Sequence, residues 1–459
     1  MNKGEIFRIE GNSHQTILNR VVGGDPSFIG GTVQSGPKFT LSNPNGITVL
    51  GTGRIVAPST VLTTGEIDID AWLNRSGEYQ NQPEEFLNIT LDSNSAINLD
   101  GTILARDSDR GGFAGLFAES IQLGNSALID ASGSLGGGTI LVGGSWQNSQ
   151  PWLSQATLVN IQQGAVLNAS ATKSGDGGTI VAWSDIKNPA SKTFANGQFL
   201  ATGGPEAGDG GQIETSSYWL DVSGIQVDAT SKTGLTGTWL LDPESIQIVG
   251  SSATTSVGAG GATVNAAAGN TSILATDLNT QLTSANITLN ANTDINFTRN
   301  FTYTGSADRN LVLDAETVAL GADIATSGTG KLNLTIGTTK SGNLYTTGST
   351  TRSIATNNGA IAIKGNIGGS AGLALNSGSG TSSLNSGASG GFAATATTIS
   401  TGSINFTYSG TNGASIGINF KDGSLSGGTL AAGSSVPKGY VEFKNGQVVE
   451  LNATIARVF

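Results

Sequence analysis

One motif recurs five times between residues 100 and 245 and constrains the fold more than any other feature. The segments read GTILARDSDRGGFAGL, ALIDASGSLGGGTILV, AVLNASATKSGDGGTIVA, GQFLATGGPEAGDGGQIET and IQVDATSKTGLTGTWLL. Each is a β-rich run ending in Ala, then a polar loop, then Gly-Gly or its equivalent, then a second β-rich run. The anchoring alanines are Ala105, Ala131, Ala169, Ala201 and Ala229, spaced by 26, 38, 32 and 28 residues. Two residues before each stands Ile103, Ile129, Leu167, Phe199 or Val227. Alternate strand residues share a face, so these side chains and the alanines point one way. The residues between them, Leu104, Asp130, Asn168, Leu200 and Asp228, are mostly polar and are expected to face outward. After the loop, Ala114, Ile140, Ile180, Ile213 and Trp239 mark a second inward face. The glycines between the two faces, Gly112, Gly138, Gly178, Gly211 and Gly237, are expected to supply positive-φ corners.

A repeat of this kind predicts an all-β protein, a right-handed parallel β-helix with short excursions and a looser C-terminal β region. Coils of ~20–25 residues stacked at about 4.8 Å would give roughly 20 coils. The uneven spacing places loops outside the rod, the longest at 144–157 and 184–196. An antiparallel sandwich would need frequent two-residue hairpins. Asn-Gly pairs begin only at Asn45, Asn196, Asn358, Asn412 and Asn445.

The expected organisation is a first β-helical part over 1–100, regular coils over 101–249, a Gly/Ala/Ser/Thr-rich boundary at 250–274, and a second β-rich repeat region over 275–459. The pattern of that last region weakens after 365. Within it ATDLNTQL (275–282) alone has helical start chemistry, with Thr276 as cap and Leu278 and Leu282 on one face. A hairpin is expected around Asn445-Gly446.

Composition removes several chemistries. There are 22 basic and 33 acidic residues, net −11, so no broad basic surface exists for nucleic acid. With no Cys, disulfides, thiolate metal sites and Cys nucleophiles are absent, and a single His excludes paired imidazoles. The 37% hydrophobic content is enough for a core and argues against disorder. Two matches to G-x-S-x-G, at 368–372 and 387–391, arise in Gly/Ser-rich sequence with His14 far away. Glu66, Asp68 and Asp70 could share a strand face but read as a solvated one. Asp107-x-Asp109-x-Gly111 lacks the later Glu of a calcium loop. No catalytic, cofactor or metal residue is assigned, and no cofactor is expected. Trp146 and Trp152 sit in one long loop and Trp183 at the edge of another. They are candidate ligand-contact aromatics that could stack on sugar rings, or loops folded back onto the coils.

Residues 16–65 carry a further signal. TILNRVVGGDPSFIGGTVQSG and FTLSNPNGITVLGTGRIVAPSTVLTTGEID resemble the secretion domain of filamentous-haemagglutinin-like exoproteins of the two-partner pathway of Gram-negative bacteria. The most specific element is Asn43-Pro44-Asn45-Gly46-Ile47, supported by Asn19-Arg20-Val21 and by Gly23-Gly24-Asp25-Pro26-Ser27. GTILVGG and GTWLLDPESIQIV are similar to segments of the high-molecular-weight adhesin branch. The resemblance implies a β-helix and passage through a dedicated outer-membrane transporter, with 43–47 as the secretion motif. It also implies a secreted or cell-surface location and a non-enzymatic adhesin binding host or neighbouring cells, glycans included. On the residues alone, 43–47 also reads as an ordinary turn. A carbohydrate-active β-helix enzyme and the stalk of a larger toxin are the alternatives. MNKGEIFRIEGNSH has no apolar h-region, so a signal peptide and some first strands are expected upstream of this start.

Overall fold

The computed structural model describes residues 1–67, 95–150, 153–250, 270–365, 367–371, 373–377 and 380. It also describes the backbone of strands at 89–90, 381–386, 397–400, 403–408, 417–420, 439–443 and 448–451. Asp68, Asp70, Trp152, most of the 250–274 boundary, the 387–391 motif and Asn445-Gly446 lie outside the described residues. The chain divides into two compact units, Met1–Pro243 with Ser256–Gly269, and Glu244–Thr255 with Asn270–Phe459.

The first unit is a parallel β-helix. Its coils feed three sheets in turn. One runs from Ile6–Ile9 to Gln226–Asp228, one from Thr16–Arg20 to Thr238–Asp242, and one from Ser27–Ile29 to Trp219–Asp221. Along these paths neighbouring strands are parallel and come from successive coils, and Arg110–Gly111 adds a short antiparallel pair to Thr102–Asp107 of its own coil. In the first sheet Ile55, Ile103, Ile129, Leu167, Phe199 and Val227 stand in one register ladder, none more than 4% exposed. The anchoring alanines are fully buried beside it. In the second sheet Ala114, Ile140, Ile180, Ile213 and Trp239 form the matching ladder. These stacked aliphatic rows are the core, and burying apolar area in this way is the main stabilising term.

The Ala…Gly-Gly repeat has a different cause from the corner expected of it. None of Gly112, Gly138, Gly178, Gly211 and Gly237 takes a left-handed φ. Each donates its N–H to the anchoring alanine of its own coil, at 2.7–2.8 Å, which closes the base of the polar loop. A Cβ on Gly138, Gly178, Gly211 or Gly237 would overlap the carbonyl oxygen of the corresponding glycine one coil earlier. A Cβ on the partner glycines Gly137, Gly177 and Gly210 would overlap the carbonyl of Ala169, Ala201 or Ala229 one coil later. The doublet is therefore small because backbone lies against it on both sides along the stack.

The intervening residues of the first sheet also depart from expectation at one position. Asp130 is buried, where it binds Ser132 N–H at 2.9 Å and pairs with Arg106 of the preceding coil. From Lys38–Ser42 onward the second sheet is largely buried on both faces. Val61, Leu141 and Val181 point away from the core, and the segment after Val142 folds over them.

The second unit also consists of parallel coils. Ile287, Leu311, Leu334 and Ile361 stack in one sheet, and Ile295, Val318, Leu344 and Ile367 in another. The helix Ala275–Leu282 forms as expected and buries Leu278 and Leu282. Thr276 does not cap it; it lies inside the first turn, after Leu274. The C-terminal carbonyls are held instead by Arg309, whose Nε donates to Leu282 O at 2.9 Å and Nη2 to Thr283 O at 2.6 Å. Gly439–Phe443 and Val448–Leu451 pair antiparallel, as the expected hairpin requires.

Candidate secretion motif and the outer sheet faces

Residues 43–47 begin where the strand Lys38–Ser42 ends. Gly46 N–H bonds back to Asn43 O at 3.1 Å, which closes a β-turn with Pro44 and Asn45 at its centre. Gly46 takes φ +108°, so a side chain here would be strained. Asn43 is fully buried, and every hydrogen-bonding position of its amide is used. Nδ2 donates to Asp25 O at 3.0 Å and to Ser27 Oγ at 2.8 Å. Oδ1 accepts from Asn45 N at 2.9 Å and Asn45 Nδ2 at 3.2 Å. Asn45, exposed on the outside, also donates Nδ2 to Gly23 O at 2.6 Å. Ile47 is buried and aligned between Ser27 and Ile97 of adjacent coils.

The two sequence elements that stood apart, 19–27 and 43–47, are thus one structure. Asn19 Nδ2 donates to Thr40 O at 3.2 Å, and Val21 N to Ser42 O at 2.9 Å. Two asparagines stitch the corner of one coil to the next. Around this corner the first coil leaves Val22, Phe28, Ile6 and Phe7 more than half exposed.

Residues 1–214 match the family model of the TPS secretion domain, just under half of the chain. This part of the chain is a TPS secretion domain. The protein is accordingly a two-partner secretion exoprotein, one that passes the outer membrane through its partner transporter. No curated protein matches the chain.

Within the TPS domain the tryptophans are placed unequally. Trp183 is 1% exposed, packed with Val61, Phe113, Phe117, Leu141, Leu153 and Val181, and donates Nε1 to Gln155 Oε1 at 2.6 Å. It is core, not a surface that a ligand can reach. Trp146 lies in the short 3-10 turn Trp146–Asn148 and packs, half-buried, on the same cluster. Both follow the folded-back alternative.

Two features were missed by sequence reasoning. Glu214 is fully buried on the outward face of the second sheet, in register between Val181 and Leu240. It accepts from Gln147 N at 2.8 Å and Ser216 Oγ at 2.9 Å. Burial pushes its carboxyl up to about 8, with nearby Asp242 adding to the shift and the two hydrogen bonds opposing it. The second is a group on the outward face of the third sheet, Lys192, Phe194, Trp219 and Asp221. Trp219 lies 27 residues after Lys192, whereas the alanine spacing of 28 between Ala201 and Ala229 would land on Leu220, so the repeat spacing alone does not reveal the pair.

Proposed function

We propose that this chain is a non-enzymatic adhesive exoprotein whose N-terminal coils direct its passage through the outer-membrane transporter and whose coil surfaces contact host or neighbouring cells. In this reading Asn43, Pro44, Asn45, Gly46 and Ile47 are the secretion motif. The single observation that carries it is the TPS match over residues 1–214. The hydrogen-bonded corner supports the assignment of 43–47. It is rigid, partly exposed at Asn45, and built from both segments that resemble the family. The chemistry of adhesion would come from the outward strand faces, since the inward ones are filled.

Export tests the secretion half. The chain is placed behind a signal peptide in a Gram-negative cell that carries its transporter, and the secreted fraction is measured. Replacing Asn43 and Asn45 together by Ala should cut secretion severalfold while periplasmic synthesis persists. Undiminished secretion would return 43–47 to the status of a coil corner. Binding of the purified protein to cultured cells tests the adhesive half separately.

A further inference from the structure

On the outward face of the third sheet, Lys192 stands opposite Trp219 and Phe194 opposite Asp221. The two strands are adjacent and parallel, so the four side chains stand at the corners of a rectangle of about 4.8 by 6.6 Å. Phe194 and Trp219 meet across one diagonal, edge to face, with centroids 5.3 Å apart and planes at 64°. Both are half-buried on a face that leads to solvent. The Lys192 ammonium lies over the Trp219 ring, 5.8 Å from its centroid, and Lys192 forms no ion pair among the described residues. Asp221 is 7% exposed. Its Oδ1 accepts from Ser223 N at 2.8 Å, while its buried Oδ2 has no hydrogen-bond partner.

We propose that Trp219, Phe194, Lys192 and Asp221 form a binding site for a neutral hexopyranose. The chemistry follows corner by corner. An indole face presents negative charge density and apolar area, which suits the axial C–H groups of a β-hexopyranoside. Sugar hydroxyls need both donors and acceptors at the rim. The ammonium of Lys192 donates, with hydrogens that no carboxylate claims. The unpartnered carboxylate oxygen of Asp221 accepts. A buried acceptor without a donor is destabilising, so a ligand hydroxyl that reaches it gains more than it would from an already satisfied oxygen. The carboxylate also argues against an acidic sugar, whose own negative charge would sit beside it. Such a site is the size of one sugar ring, and low single-site affinity would be offset by repetition along many copies on a cell surface.

The site deepens the adhesive reading and rests on it for its biological use, though sugar binding itself can be measured alone. Saturation-transfer NMR on the full purified chain, with methyl β-D-galactopyranoside and methyl β-D-glucopyranoside as probes, should show transfer to the ring C–H protons of at least one of them. Titration should give a millimolar dissociation constant. Trp219→Ala should weaken it at least tenfold, and Lys192→Ala, at an exposed position that the fold does not need, severalfold. Trp146→Ala should leave it unchanged. No transfer to either glycoside, or transfer unaltered in both Trp219→Ala and Lys192→Ala, would overturn the site. Cell adhesion measured on the same variants separates the two readings. Sugar binding without adhesion sinks only the adhesin, and adhesion by a chain that binds neither glycoside sinks only the sugar site.

Discussion

At the scale of single residues, two side chains are satisfied in opposite ways. Asn43 is buried with four hydrogen bonds, so its removal leaves Asp25 O, Ser27 Oγ and the Asn45 amide without their partner. Asp25 and Asn45 are exposed and Ser27 half-buried, so water can replace part of what is lost and each bond is worth about 1 kcal/mol. Asn43→Ala should therefore lower the urea midpoint as well as secretion, whereas Asn45→Ala, at an exposed position, should affect stability less. Glu214 is the reverse case, a carboxyl held where charge is disfavoured. Its folded value of about 8 lies above the ordinary 4.5. Below the ordinary value both folded and unfolded chains hold the proton. Between the two values only the folded chain does, so its contribution to stability falls as pH rises through that window and levels off above about 8. Glu214→Gln keeps an acceptor for Gln147 N and removes the titration. The variant should gain on the wild type by a few kcal/mol between pH 5 and pH 8. Urea midpoints that run parallel across that range would show that Glu214 is ionised in the folded chain.

Among the strands and loops, the repeat was legible because each coil must satisfy the same contacts. Aliphatic residues two before each alanine stack in one ladder, and the alternation that placed them is visible in any strand with one buried face. The reason for the glycines was not legible. A doublet required by close approach and a doublet required by positive φ look identical in sequence, and only the neighbouring coil distinguishes them. Gly178→Ala tests the distinction. With Gly138 O against the new Cβ, it should cost on the order of 3 kcal/mol, as overpacking against backbone does. A D-alanine at the same place, the usual rescue for a positive-φ glycine, should not restore stability. Outward faces were the hardest to read. Val61, Leu141 and Val181 lie on a face that alternation would give to solvent, and they are buried because the segment carrying Trp146 and Leu153 covers them. The candidate motif was visible as residues but not as a network. Nothing in NPNG says that its first asparagine turns inward to Asp25 and Ser27.

For the first unit as a whole, the consequence of stacking is that each coil depends chiefly on the coil before and the coil after it. The Phe199 register position recurs at Val227, so residues 199–226 make up one full turn of all three sheets. Deleting them sets Leu167 against Val227 in place of Phe199 and Ile180 against Trp239 in place of Ile213, replacing one apolar contact by another in each ladder. The buried Glu214 leaves with the deleted turn, which removes a destabilising group together with the acceptor of Gln147 N. The shortened chain should therefore stay folded, with an unchanged β-type circular dichroism per residue. Its urea m-value should fall in proportion to the surface the missing coil no longer exposes. Deleting only 199–212 is the contrasting case. It joins Gln198 of the first sheet directly to Ile213 of the second, so the loop between the two sheets is gone and one strand has to serve two ladders. That chain should lose cooperative unfolding. Equal tolerance of both deletions would mean that the ladders do not set the register of the stack.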